Sequence, residues 1–302
     1  MTVGTCDEEL NGATLRQLLS LQPTAGPEAP VWLPDGTAVV AKAAGGDGLA
    51  IRRIDVKTGA ERVVARDLGT LPFLSTSLLA VSPDGRWISY TGDQSPDDRT
   101  RSSRVEIWLA PVDGGTPLQL TRINANINSY RWAPDGQSVV FAANRYGRYD
   151  IFRVSVPSGE TVRLTSSPRY ETYPTYSADG SDIYFVRLNE EWTDHEIVVM
   201  DAHGDHQRVI TVDHDLFDYH YGRKFGYPLV SAPTNCLLFP SHRSGWINYW
   251  QVPLGGGDPQ PLHAEPADQS EAVLSPDGNT VAFIANTNGT TRLAVKTLRD
   301  DS

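Results

Sequence analysis

The tripeptide Pro-Asp-Gly returns along this chain at Pro34-Asp35-Gly36, Pro83-Asp84-Gly85, Pro134-Asp135-Gly136 and Pro276-Asp277-Gly278, with a degenerate copy at Ala178-Asp179-Gly180. One further station, Ala232-Pro233-Thr234-Asn235, keeps the rhythm but lacks the motif. Repetition at a spacing of roughly 44 to 54 residues requires units that bury their apolar faces against one another. The tripeptide itself is a turn: Pro presets φ, Asp suits the next position, and Gly relaxes the exit. A short apolar or aromatic run precedes most copies, as in Tyr130-Arg131-Trp132. A β-rich run follows, as in Ser138-Val139-Val140-Phe141 and Thr280-Val281-Ala282-Phe283. Each copy therefore reads as strand, tight turn, strand.

Two more strands complete a unit. The third is exemplified by Val105-Glu106-Ile107-Trp108 and Asp150-Ile151-Phe152-Arg153, the fourth by Leu118-Gln119-Leu120-Thr121 and Val162-Arg163-Leu164-Thr165. Long helical periodicity is absent. The predicted fold is all-β, a single six-bladed β-propeller of four-stranded blades near 31–66, 79–122, 130–165, 175–211, 229–263 and 272–298. The last unit runs out of chain before its fourth strand. The segment at about 12–20, including Thr14-Leu15-Arg16-Gln17-Leu18, supplies a strand of the right kind. It is expected to complete the sixth blade and close the ring, because an open ring leaves bare strand edges. A short helix from Thr14 to Leu21 is the competing assignment.

Composition narrows the function classes. A net charge of −11 argues against nucleic acid and anionic membrane as partners. It leaves a peptide or small-molecule ligand, and room for a protein partner. Two cysteines, Cys6 and Cys236, make no disulfide framework. The N-terminus shows no basic region followed by an apolar one, so a cytoplasmic location is expected. Basic residues are mostly Arg, the composition of a GC-rich bacterial genome.

The run Trp132-Ala133-Pro134-Asp135-Gly136, an apolar strand, Asn144-Arg145-Tyr146-Gly147, Asp150-Ile151-Phe152 and Arg163-Leu164-Thr165 resembles the TolB-like propeller repeat. A similar repeat builds the N-terminal propeller of prolyl-oligopeptidase-like serine peptidases, and Ser241-His242-Arg243-Ser244-Gly245-Trp246 looks like that group. Those peptidases carry Ser, Asp and His on an α/β-hydrolase domain. This chain has neither a Gly-x-Ser-x-Gly elbow nor βα alternation, so the peptidase activity does not carry over.

Candidate functional residues crowd the loops of units three to five. The crossover after the fourth unit, Asp213 to Lys224, is long and holds Asp218 and His220. Such length with His, Asp and Tyr invites a functional role. Neighbouring stretches add Tyr170, Glu171 and Tyr173, then Trp192 and His195, then His242, Arg243 and Trp246. Three readings follow. In the first, Tyr170, Glu171, Tyr173, Trp192, Arg243 and Trp246 bind a peptide or small molecule at the channel mouth. In the second the chain is an enzyme, a lyase or hydrolase, with His195, Asp218, His220 and His242 as catalytic groups. No cofactor is predicted, but His195, His220 and His242 leave room for a divalent metal, and the resemblance supplies a precedent in polysaccharide lyases whose TolB-like propellers hold metal through histidine. The third reading is a gating propeller of a split or truncated peptidase.

Overall fold

The computed structural model describes residues 22–23, 30–45, 48–66, 78–93, 104–191, 193–214 and 227–298. They form six antiparallel sheets, the blades of a β-propeller fold, and no helix occurs among the described residues. The chain divides into two compact units, Met1–Asn126 with blades one and two, and Ile127–Ser302 with blades three to six. The expected closing strand at about 12–20 lies outside the described residues.

In the first unit, blade one is built on Ala38–Gly45, Gly48–Asp55 and Glu61–Arg66. Two short strands, Gln22–Pro23 and Val31–Trp32, both pair with Ala38–Gly45. Blade two runs Leu79–Val81, Trp87–Asp93, Val105–Pro111, Leu118–Gln119. Leu33, Val40 and Ile51 of blade one pack with Ile88, Tyr90 and Ala110 of blade two.

In the second unit, blade three is Ile127–Trp132, Ser138–Ala143, Asp150–Ser155 and Thr161–Arg163. Blade four is Tyr170–Tyr176, Asp182–Leu188, His195–Asp201 and Arg208–Asp213. Blade five is Leu229–Ser231, Cys236–Ser241, Asn248–Pro253 and Gln260–Pro261. Blade six shows three strands among the described residues, Asp268–Leu274, Thr280–Thr287 and Thr290–Thr297. The two-residue period of a strand explains the packing. Ile183 and Phe185 meet Val140 and Ile151 of blade three, whereas Tyr184, Ile197 and Val199 meet Leu237 and Phe239 of blade five. Each large side chain so buried contributes about 1.5–3 kcal/mol, so both faces of an internal blade are committed to its neighbours.

The repeated turn has one geometry throughout. The Asp carboxylate accepts the backbone N–H two residues on, at 2.9 Å for Asp35 and Thr37, 2.9 Å for Asp135 and Gln137, and 3.1 Å for Asp277 and Asn279. The Gly closes the turn on the residue before Pro, as Gly136 N–H to Ala133 C=O at 2.9 Å, and takes a φ of 69–77° in all five copies. Absence of the motif at residues 232–235 does not remove the turn. Asn235 stands in the left-handed region at φ 50° and donates to Ala232 C=O, doing the glycine's work. Asn is the side chain that tolerates that conformation best. Successive turns also touch. A Cβ on Gly85 would lie 3.6 Å from Pro34, one on Gly180 3.6 Å from Pro134, and one on Gly278 3.0 Å from Pro233.

A second recurrent device sits at the opposite end of the blades. The Thr after the fourth strand turns its hydroxyl onto the third: Ile107 N–H donates to Thr121 Oγ1 at 2.8 Å, and Ile151 N–H to Thr165 Oγ1 at 2.9 Å. Beside each stands a buried acid, Glu106 or Asp150. Glu106 accepts from Thr121 Oγ1 at 2.5 Å and from Asn124 N–H at 2.8 Å. Burial pushes the Asp150 carboxyl upward, opposed by Arg163 at 2.7 Å. In blade five Asn248 stands in place of the acid, and Gln269 on the first strand of blade six takes the part of the hydroxyl, Tyr249 N–H donating to its Oε1 at 2.8 Å.

Three outcomes follow from these contacts. Gly36→Ala meets nothing within 4 Å and is expected to lose only the left-handed backbone cost, about 1–2 kcal/mol. Gly278→Ala also presses on Pro233 and should lose about 1 kcal/mol more in urea unfolding. Thr121→Val leaves buried Glu106 short of a donor and is expected to cost about 1–3 kcal/mol by the same measurement. Hydrogen bonds from Ser177 and from Ser181 hold the Asp179 carboxyl down at about 2. Its contribution is therefore present above the ordinary carboxylate range and is lost as pH falls toward about 2. An NMR titration should show that depressed midpoint, and Ser177→Ala should raise it.

Candidate functional site

Antiparallel order puts the start of the first strand, the loop between the second and third, and the end of the fourth at one edge of each blade. Side-chain pairs show that these edges adjoin in the second unit. Arg148 in the blade-three loop pairs with Glu190 in the blade-four loop at 3.2 Å. Arg243 in the blade-five loop pairs with Asp213, the last residue of blade four, at 3.2 Å.

Most of the residues singled out from the sequence lie along this edge. His195 opens the third strand of blade four, is 5% exposed, and places Nε2 3.7 Å from Asp213 Oδ2. Arg243 reaches Oδ1 of the same carboxylate and also donates from Nε to Ser241 Oγ at 3.1 Å. Its guanidinium lies 4.8 Å from the Trp250 ring and 5.6 Å from Phe239. His195 and Arg243 are thus joined through buried Asp213, a residue the sequence reading placed in the crossover without assigning it a role. His242 is half-buried and accepts from Gly245 N–H at 2.7 Å through its carbonyl. Trp246, in the same loop, is 39% exposed.

Tyr170, Glu171 and Tyr173 stand on the first strand of blade four rather than in the crossover before it. Glu171 is fully buried, accepts from Arg187 Nε at 2.9 Å, and is pushed upward by that burial against the pull of Arg187. Arg187 continues to Gln207 at 2.6 Å, and Arg169 binds Glu196 at 2.6 Å, so the acid belongs to a charged seam across blade four. Tyr170 lies beneath Arg148, 5.4 Å from its guanidinium, and 6.4 Å from Tyr149. Tyr173 takes φ 52° at a bulge in its strand and meets Tyr227 edge-on at 5.3 Å.

Asp218, His220 and Trp192 lie outside the described residues. Among the described residues no three His, Cys, Asp or Glu side chains gather as a metal-holding group, and the set of His195, His220 and His242 is not described as a whole. His214, just past blade four, pairs with Asp194 at 3.2 Å. What the edge offers most openly is aromatic surface with cations beside it. Tyr146 is 58% exposed and lies 4.3 Å from the Arg163 guanidinium.

Comparison with known proteins agrees with this geometry. The profile of the TolB beta propeller domain matches residues 97–215. A putative TolB from Agrobacterium tumefaciens superposes with a TM-score of 0.55 at 22% identity, over 90% of both chains. The fold is a β-propeller, and its TolB-like match lies in residues 97–215. A puromycin-hydrolyzing peptidase of Mycobacterium tuberculosis superposes with a TM-score of 0.67 at 18% identity, over 94% of this chain and 45% of the peptidase. The uncharacterized protein Atu1656 of Agrobacterium fabrum is 31% identical over 168 residues, 52% of this propeller and 50% of that protein. The uncharacterized peptidase YuxL of Bacillus subtilis is 25% identical over 209 residues, 68% of this propeller and 28% of that protein. The matched stretch therefore spans half, or less, of these two relatives.

The edge separates into residues that hold blades together and residues that are open to solvent. Asp213→Ala strands the half-buried Arg243 charge and is expected to cost about 2–3 kcal/mol in urea unfolding. Trp246→Ala should stay within about 0.5 kcal/mol of the parent.

Proposed function

We propose that this propeller binds peptides along the edge formed by the loops of blades three to five. One observation carries the reading: two large aromatic side chains, Tyr146 and Trp246, stand exposed on corresponding loops of blades three and five. Tyr146 has Arg163 against its ring, and the Arg148–Glu190 pair occupies the loops between. Aromatic and Arg side chains are the usual energetic anchors of recognition surfaces. They supply large contact area at low entropic cost, and their polar tips meet peptide groups. The resemblance to a puromycin-hydrolyzing peptidase and to YuxL adds support, since a propeller related to peptidase propellers suits a peptide chain.

The peptidase relatives also favour a second reading, in which the propeller governs entry of peptides to a hydrolytic centre. Both readings need the same surface and differ in the fate of the ligand. The test begins with an array of short synthetic peptides, the binders then being measured by isothermal titration. Tyr146→Ala and Trp246→Ala are each expected to weaken binding at least tenfold without lowering the melting temperature. Unaltered affinity in both variants overturns the assignment of this edge. Mass spectrometry of the bound peptide after incubation should return it intact, and cleavage would instead place hydrolytic chemistry on the chain.

A further inference from the structure

The arginines of the second unit are mostly spent on neighbouring acids. Arg148, Arg163, Arg169, Arg187 and Arg292 pair with Glu190, Asp150, Glu196, Glu171 and Glu265. Arg131 differs. It is exposed on the first strand of blade three and forms no ion pair among the described residues. Its guanidinium lies 3.4 Å from the centroid of the Tyr227 ring, and one N–H donates to Tyr130 C=O at 3.3 Å. Among the described residues Arg145, Arg153 and Arg208 also form no ion pair, but Arg145 sits only loosely over Tyr146, at 5.7 Å, and Arg153 and Arg208 donate to the Ala202 and Leu254 carbonyls.

The platform beneath Arg131 is fixed from several sides. The Tyr227 hydroxyl accepts from Tyr130 N–H at 3.1 Å and donates to Tyr130 C=O at 3.3 Å. Tyr173 closes on the ring edge-on. It does so from a left-handed backbone that a bulky residue adopts at a cost of about 1–3 kcal/mol. Ser129 Oγ holds that backbone by accepting from Tyr173 N–H at 3.1 Å. Strain retained in this way is a reason to look for a role. With Tyr227 against the guanidinium and one N–H on Tyr130 C=O, the remaining N–H donors of Arg131 suffice for a two-point bond to a carboxylate.

We propose that Arg131, stacked on Tyr227 and flanked by Tyr173, anchors one carboxylate of a bound ligand on the first strands of blades three and four. A single cation in a chain of net charge −11 fits one carboxylate better than a polyphosphate. The donor of that carboxylate is a peptide C-terminus, which rests on the peptide-binding reading above, or a small organic acid.

The experiment titrates the full chain, followed by NMR shifts of the Tyr130, Arg131 and Tyr173 amides, with three probes: trialanine, trialanine amide and succinate. Trialanine is expected to bind saturably and its amide at least tenfold more weakly. Arg131→Gln should remove at least tenfold of the trialanine affinity at unchanged melting temperature. Arg131→Lys keeps the charge but not the planar fork, and should lose most of the acid-over-amide preference. Saturable succinate binding that Arg131→Gln abolishes, without peptide binding, supports the anchor and sinks the peptide reading. Equal binding of acid and amide, both lost in Trp246→Ala, sinks the anchor and leaves the peptide reading standing. No saturable binding by any probe overturns the anchor.

Discussion

A threonine hydroxyl that meets an N–H near the start of the third strand is the contact on which the ends of blades two and three depend. Without it, a buried amide and a buried acid would face each other with nothing between them, and each unsatisfied group costs roughly 1–3 kcal/mol. With it, Thr121 serves Ile107 and Glu106 together, and Glu106 then draws in the start of the next crossover through Asn124 N–H. The blade is thereby tied to the segment that leaves it. Blade five reaches the same end with amides, its own Asn248 and Gln269 of blade six, which offer both donors and acceptors where an acid offers only acceptors.

This economy explains why functional residues were harder to read from the sequence than the fold was. The turn is written in three consecutive residues, so strand, turn and strand are legible at every copy. Even where the tripeptide is missing, Asn235 preserves the geometry, since the backbone needs a left-handed residue and not glycine as such. The polar ties were visible too, for Glu106 and Thr121 keep the same separation as Asp150 and Thr165. Their meaning was not, because an acid in a β-rich run looks the same whether it faces solvent or a neighbouring strand. Glu171 shows the difficulty. Its neighbours Tyr170 and Tyr173 gave it the appearance of a binding group, whereas the fold sets it against Arg187 with no exposed surface. Tyr227 was out of reach for another reason: its partner Tyr130 lies 97 residues away, and no local pattern announces so distant a contact.

Separating tied residues from open ones changes how the edge of blades three to five should be read. Asp213 and Arg243 tie blade four to blade five as an ion pair, with His195 Nε2 3.7 Å from the same carboxylate. Tyr146 and Trp246 stay exposed beside these joints. Loops carried on a rigid scaffold are where recognition evolves at least cost to stability, because changing them leaves the packed faces alone. The two aromatic residues fit that division, and the buried charges fit the other half of it.

The same reasoning bears on why an acidic protein keeps an exposed guanidinium that forms no ion pair among the described residues. In a field of surplus negative charge, an isolated Arg gains from any carboxylate close by, and the chain has acids to spare. That Arg131 rests on Tyr227 instead, with the ring pinned at its hydroxyl and its edge, means that among the described residues the position is held by the aromatic ring and not by an ion pair. Stacking fixes direction without neutralising charge. A guanidinium held in one direction gives up less rotamer entropy when an anion arrives, so more of the interaction appears as affinity. Pairing with a resident acid would have given comparable rigidity and removed the charge, which is the outcome seen at Arg187 and Arg163. The contrast between those joints and Arg131 is therefore one of chemistry as well as of place.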